Sequence, residues 1–340
     1  MITFLISAIK IIVLLGLLIF IHELGHFTVA KLCNVRVNEF AIGFGPTIYK
    51  KQGKETKYNL RLIPLGGFIS MEGEEERSDD IRSFSKVSIP KRVAIVLAGP
   101  IVNIVFATII YFLLTFSAGP YISNEVNEIL TGYGAENSGI QVNDKIVGIN
   151  GNKVESKYDL SRILDTSNGE ILNIEVNRNG EILQYNVIPT EVKLTENIST
   201  YYIGISFKPA QDNFINRCIN GGISTKEFLF SIVDNMKQLF TGKVGVDQMM
   251  GPVGISEVVA KTDGFMEFIQ MMALISLSLG VTNLLPIPAL DGGKILILLI
   301  EAIRRKPLNE KLEINIQLLG FSFLIILSLY ITYNDILRIF

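Results

Sequence analysis

Four stretches of this chain, near residues 2–32, 93–118, 268–288 and 316–333, are apolar over about the 20 residues that a helix needs to cross the hydrocarbon of a bilayer. Inside lipid no water satisfies the backbone, so such stretches must be helical, and the chain reads as an α-helical polytopic membrane protein with about four spans. Composition agrees, with 49% hydrophobic residues, 19% charged residues and a mean hydropathy of +0.39. A net charge of −2 without a basic tail argues against nucleic-acid binding. The first stretch lacks a basic leader and a small-residue cleavage site, so it reads as a retained span rather than a signal peptide. Cys33 and Cys218 are far apart and suggest neither a disulfide framework nor a thiolate metal site.

Basic residues set the orientation. Pro90-Lys91-Arg92 opens the second stretch and Arg304-Arg305-Lys306 precedes the fourth, which places the 33–92 and 301–315 loops in the cytoplasm. The termini and the 119–266 segment of this multi-pass protein then lie outside. The acidic run Glu72–Glu76 makes the first loop mixed in charge. Within that loop Val35–Ile42 and Asn59–Ile63 read as short strands, punctuated by Gly43-Phe44-Gly45-Pro46 and Pro64-Leu65-Gly66-Gly67-Phe68. A membrane-associated β-hairpin of this kind could offer an edge strand to an extended peptide. The same glycines could equally do no more than make turns.

The external segment carries β-rich stretches at Lys145–Ile149, Leu172–Val176 and Gln184–Ile188, turn signals at Asn150-Gly151 and Asn179-Gly180, and a helical pattern over Tyr158–Leu164. This is one inserted α+β domain. Its stretch from Ala135 to Val154 resembles part of a PDZ domain, which implies a groove for an extended peptide tail; a spacer that binds nothing is the other reading. From about 211 to 266 apolar residues recur at loosely helical intervals, suiting either amphipathic helices on the outer membrane surface or ordinary packing against the PDZ-like domain. The expected division is a membrane domain at 1–118, a PDZ-like domain at 119–207, an amphipathic region at 208–266 and a second membrane domain at 267–340.

Both histidines of the chain lie in His22-Glu23-Leu24-Gly25-His26, inside the first apolar stretch. Positions i and i+4 share a helix face, so the two imidazoles can converge on one metal ion with Glu23 beside it as a base. Ionisable side chains within a bilayer are costly and read as functional. Catalytic zinc commonly takes three protein ligands, and with no third histidine the remaining one must be a carboxylate or a cysteine. Asp291 is the candidate, in Asn283-Leu-Leu-Pro286-Ile-Pro288-Ala-Leu-Asp291-Gly292-Gly293 at the end of the third stretch, although it could instead cap the following helix. Gly25 either lets a neighbouring helix approach or is simply a small residue in a tight bundle.

These two motifs, the second-span opening from Pro90 to Asn103, the stretch Gly251-Pro-Val-Gly-Ile255 and the PDZ-like segment together resemble the site-2 protease family of intramembrane zinc metalloproteases, in its RseP-like branch. The resemblance implies Zn2+ held by His22, His26 and Asp291, with Glu23 as catalytic base. It implies that Asn283 and Pro286, with Gly66 and Gly67 of the hairpin, position substrate. It also implies cleavage of single-span membrane proteins already trimmed by another protease, such as anti-sigma factors, or of remnant signal peptides. A metal transporter and a catalytically silent PDZ scaffold are the rival readings. Only one PDZ-like segment is present, so properties of tandem-PDZ members do not carry over.

Overall fold

The computed structural model describes residues 2–74, 78–154, 157–167, 169–195, 198–242 and 249–339; Glu75 and Glu76 of the acidic run lie outside them. The order of elements is α1 (Ile2–Leu32), β1 (Val37–Gln52), β2 (Lys57–Met71), α2 (Ile89–Ala118), β3 (Ile122–Ile129), β4 (Lys145–Ile149), β5 (Asn152–Lys153), α3 (Lys157–Thr166), β6 (Leu172–Arg178), β7 (Glu181–Val187), β8 (Thr190–Thr195), β9 (Ile198–Tyr202), β10 (Ile205–Pro209), α4 (Phe214–Phe240), α5 (Pro252–Ala260), α6 (Phe265–Asn283), α7 (Asp291–Arg304) and α8 (Glu310–Ile339). Two compact units emerge, Met1–Tyr111 with Phe228–Phe340, and Phe112–Glu227.

Among the described residues four helices are long and apolar enough to cross a membrane: Ile6–Leu32, Ile89–Ala118, Phe265–Asn283 and Glu310–Arg338. The third ends five residues before the apolar stretch does, because Pro286 and Pro288 remove backbone donors and the chain leaves the helix at Leu284. It re-enters a helix at Asp291, an amphipathic segment that runs to Arg304 and so into the 301–315 stretch expected as a loop. Inside the first unit, Leu14 and Leu18 of α1 are fully buried and pack with Val259 and Met272. Phe228 and Ile232 of α4 join Ala107, Ala273 and Leu277, with the Phe228 ring stacked on Tyr111 at 4.0 Å. This part of α4 thus packs against two of the candidate membrane helices.

Small residues set the helix spacing. A Cβ on Gly25 would lie 2.6 Å from the Ala98 carbonyl oxygen, and one on Gly280 would lie 2.8 Å from that of Pro100. Backbones of α1, α2 and α6 thus meet at glycines, which answers the question left open for Gly25. The nine-residue helix α5 is held at both ends by charged side chains. Gly251 N–H and Gly254 N–H donate to the Asp335 carboxylate of α8 at 3.0 and 2.8 Å, and Lys10 Nζ of α1 donates to the Thr262 carbonyl at 2.6 Å. Anion at the N-terminus and cation beyond the C-terminus complement the helix dipole.

The first loop holds far more strand than the two short runs expected. β1 has 16 residues and β2 has 15, and each folds back on itself. Ile42 pairs with Gly67 on one side and Leu60 on the other, while Leu60 pairs in turn with Tyr49. Four stretches therefore lie side by side in the order 67–71, 37–42, 57–60 and 49–52. The two outer ones are edges. Gly43 and Gly45, with φ of +86° and +83°, bend β1 without ending it, so the segment that resembles a turn is a kink within a strand.

The second unit is an α+β domain whose sheet runs β10-β3-β4-β6-β7, with β5 on β4 and a separate β8-β9 hairpin. Its core gathers Val126, Ile146, Ile149, Leu160, Leu164, Leu172, Ile174, Val176 and Val187. Asp144, 1% exposed, receives two hydrogen bonds from Arg178 at 2.7 Å and one from Gln141 N–H at 2.8 Å. Burial alone would raise this carboxyl, but those donors hold it below the ordinary aspartate range.

Candidate active site

His22 and His26 project from one face of α1, as the four-residue spacing requires, and their rings meet edge to face with centroids 4.8 Å apart. Their Nε2 atoms are 3.2 Å apart. Asp291 opens α7, and its Oδ2 lies 3.2 Å from His22 Nε2 and 3.5 Å from His26 Nε2. The capping position belongs to Leu290, which makes no side-chain cap, so Asp291 is free of that alternative duty and turns to the histidines. Asp291 Oδ2 is buried and no hydrogen bond of proper geometry reaches it. Three acceptor-capable atoms thus face one point, the two Nε2 atoms within hydrogen-bond distance of each other and Asp291 Oδ2 hydrogen-bonded to neither.

That triangle fits zinc. Tetrahedral Zn2+ with bonds of about 2.0–2.1 Å separates its ligand atoms by about 3.3 Å. The observed edges of 3.2, 3.2 and 3.5 Å bracket this value. Among the described residues no other group of three His, Cys, Asp or Glu side chains offers such a convergence.

The remaining ring nitrogens are also engaged. His26 Nδ1 donates to the Ile95 carbonyl of α2 at 2.8 Å. A carbonyl can only accept, so this bond fixes the tautomer that leaves Nε2 free for a metal. His22 Nδ1 faces the carboxamide of Asn103, a fully buried residue of α2. Sequence reasoning quoted Asn103 only as part of a matching stretch. Gly99 lies in the same stretch and was likewise not singled out: a Cβ there would stand 2.3 Å from His26 Nε2.

Glu23 is half-buried, on the next position round α1, and its side chain borders the hairpin. A Cβ on Gly67 would lie 3.3 Å from Glu23 Cγ, and one on Gly66, where φ is +120°, would lie 2.0 Å from the Phe44 ring. The 67–71 edge therefore runs beside Glu23 because neither glycine has a side chain. Asn283 is the last residue of α6, half-buried, and Pro286 is exposed in the following loop. That loop doubles back tightly, since a Cβ on Gly292 would meet the Leu285 carbonyl oxygen at 2.2 Å and one on Gly293 that of Ile287 at 2.3 Å. The paired glycines after Asp291 thereby let the loop fold over the start of α7. The structure does not bring Asn283 or Pro286 into hydrogen-bond contact with the histidines or Asp291 among the described residues.

The family model described as Peptidase family M50 matches residues 10–327. The chain belongs to that family. A Bacillus subtilis protein named regulator of sigma-W protease RasP is 31% identical, with 98% of this chain and 99% of the relative covered. A Clostridium acetobutylicum protein named as a zinc metalloprotease is 37% identical over 94% of each chain. Zinc metalloprotease RasP of Geobacillus kaustophilus is 28% identical over 98% of each. The site-2 protease resemblance and its RseP-like branch are therefore correct, and the chain is an intramembrane zinc-dependent metalloprotease. The transporter reading falls with this membership, and the silent scaffold falls with it too.

Proposed function

We propose that His22, His26 and Asp291 are the zinc ligands and Glu23 the general base of a protease that cuts peptide bonds within or next to the transmembrane segment of single-span membrane proteins. The observation that carries this reading is the convergence of the three ligand atoms at 3.2–3.5 Å beside Glu23. When bound there, zinc would polarise the scissile carbonyl and acidify water. Glu23 takes the proton from the attacking water and delivers it to the leaving amine. His26, its Nδ1 proton held by Ile95, stays oriented through the reaction.

A helical substrate hides its carbonyls in its own hydrogen bonds and must be unwound before it can be cut. The edge formed by residues 67–71 supports strand addition as the way to hold the unwound stretch, since it offers unpaired backbone groups next to Glu23. Asn283 and Pro286, at and just after the end of α6 and before Asp291, would position the chain. In this reading the 33–92 hairpin and the active site lie toward the cytoplasmic side of a bacterial cell membrane, and the 119–207 domain lies outside. That domain has the α+β composition of a PDZ module and would take a peptide tail. The name of the Bacillus relative favours anti-sigma factors, pre-trimmed by another protease, as the substrate class.

The deciding experiment is cleavage of a tagged single-span substrate by purified protein, comparing wild type with Glu23→Gln and Asp291→Ala while assaying bound zinc. The reading requires that Glu23→Gln keep zinc and stop cutting, and that Asp291→Ala lose zinc. Wild-type zinc content in Asp291→Ala would remove Asp291 from the ligand set.

A further inference from the structure

We infer that Asn103 is a positioning residue that accepts the Nδ1 proton of His22 and so holds that ring with Nε2 turned to the metal. The inference rests on the ligand set proposed above. The two histidines present Nε2 to the same point, and a neutral imidazole that ligates through Nε2 carries its proton on Nδ1. For His26 the acceptor of that proton is the Ile95 carbonyl. For His22 the group in reach of Nδ1 is the Asn103 carboxamide, with Nδ2 at 3.4 Å.

The oxygen and nitrogen of a carboxamide are nearly the same size, so a half-turn about χ2 exchanges them without steric cost. Asn103 Oδ1 is buried and has no partner, so the half-turn breaks no other bond and brings an acceptor to the Nδ1 proton. With Nδ2 facing a protonated Nδ1, two donors would oppose each other. Asn103 is otherwise immobilised. Its own carbonyl accepts from Ser276 Oγ of α6 at 2.9 Å, both residues are fully buried, and Gly280 lets α6 close on Pro100 and Ile104 one turn away. A single amide is thus fixed by a neighbouring helix at the height of His22, in a segment where polar side chains are scarce.

The test is zinc affinity of the full chain in detergent, measured by competition with a chromogenic chelator, together with the visible spectrum of the Co2+-substituted protein. Asn103→Leu fills nearly the same volume without an acceptor and should weaken zinc binding about 10- to 100-fold and alter the Co2+ bands, the usual consequence of losing the partner of a ligating histidine. Asn103→Asp keeps an acceptor and should stay within a few-fold of wild type. Wild-type affinity in Asn103→Leu would overturn the inference, and so would an equal loss in Asn103→Asp. If Asn103→Leu fails to fold, Asn103→Ala, which also lacks an acceptor, takes its place under the same two criteria. His22→Ala and Asp291→Ala run in parallel: unchanged zinc in both would sink the ligand set itself, whereas loss in both with none in Asn103→Leu would sink only the role of Asn103.

Discussion

Gly99 of α2 lies directly against His26 of α1: a Cβ at Gly99 would stand 2.3 Å from the Nε2 that faces the metal point and 2.6 Å from Cε1. The imidazole occupies the volume that any other residue at 99 would take. The proposed metal site is therefore shaped by an absence of side chain on the neighbouring helix as much as by its three side chains.

Gly99→Ala should displace the His26 ring by about an ångström and cut activity by about 100-fold, the scale expected for such a shift at a reacting centre. Zinc content by atomic absorption should fall with it. Full zinc with full activity would show that the ring has room to spare.

At Gly67 the expected effect is of a different kind. An added Cβ meets Glu23 Cγ at 3.3 Å and the Ala41 carbonyl oxygen at 3.0 Å, yet touches no proposed ligand. Gly67→Ala should keep zinc and lower kcat by about 10- to 100-fold, because the base and the strand edge are pushed apart. A variant that lost zinc instead would place residue 67 against the ligands rather than the base.

The site is legible in the sequence to the extent that it is local. Spacing of four on a helix ties His22 to His26, and the shortage of ligands points to Asp291. Gly99, Asn103 and Ser276 carry no such mark. Each matters only through what another helix brings against it, and a small or polar residue in an apolar run has many uses. The hairpin shows the same limit. Alternation finds Val35–Ile42 and Asn59–Ile63, but the fold-back that gives β1 two neighbours depends on kinks at Gly43 and Gly45, which look like turns in isolation. A helix after Asp291 is foreseen, but hydropathy does not mark its run to Arg304, because its 14 residues are amphipathic.

A remote position should report on the loop before Asp291. Gly320 of α8 leaves space for Pro288, whose carbonyl oxygen would lie 2.3 Å from a Cβ at 320. Gly320→Val should push the 284–290 loop and the start of α7, lowering zinc affinity about tenfold although residue 320 is no ligand. Unaltered affinity in a chelator titration would mean that α8 yields rather than the loop.

In the α+β unit, Asp144→Ala removes the buried partner of Arg178. The variant should be less stable than wild type, though by less than the loss of a fully enclosed pair because Arg178 reaches solvent. The Asp144 carboxyl is held low in the folded state, so its contribution is complete above the unfolded value of about pH 4 and fades as pH falls through the folded value. Hydrogen exchange of β4 and β6 amides in the full chain should show faster opening in the variant at pH 7. The difference from wild type should shrink in strong acid.

The short helix α5 has a mechanical consequence. Asp335 grips its first turn and Lys10 the chain just past its last, so α5 is a rigid splint between α1, which carries both histidines, and α8. Sliding one long helix past the other would strip two charged side chains of their partners in an apolar setting, which is expensive. These helices consequently travel as one frame. Whatever motion the site undergoes must therefore be borne by parts outside the splint.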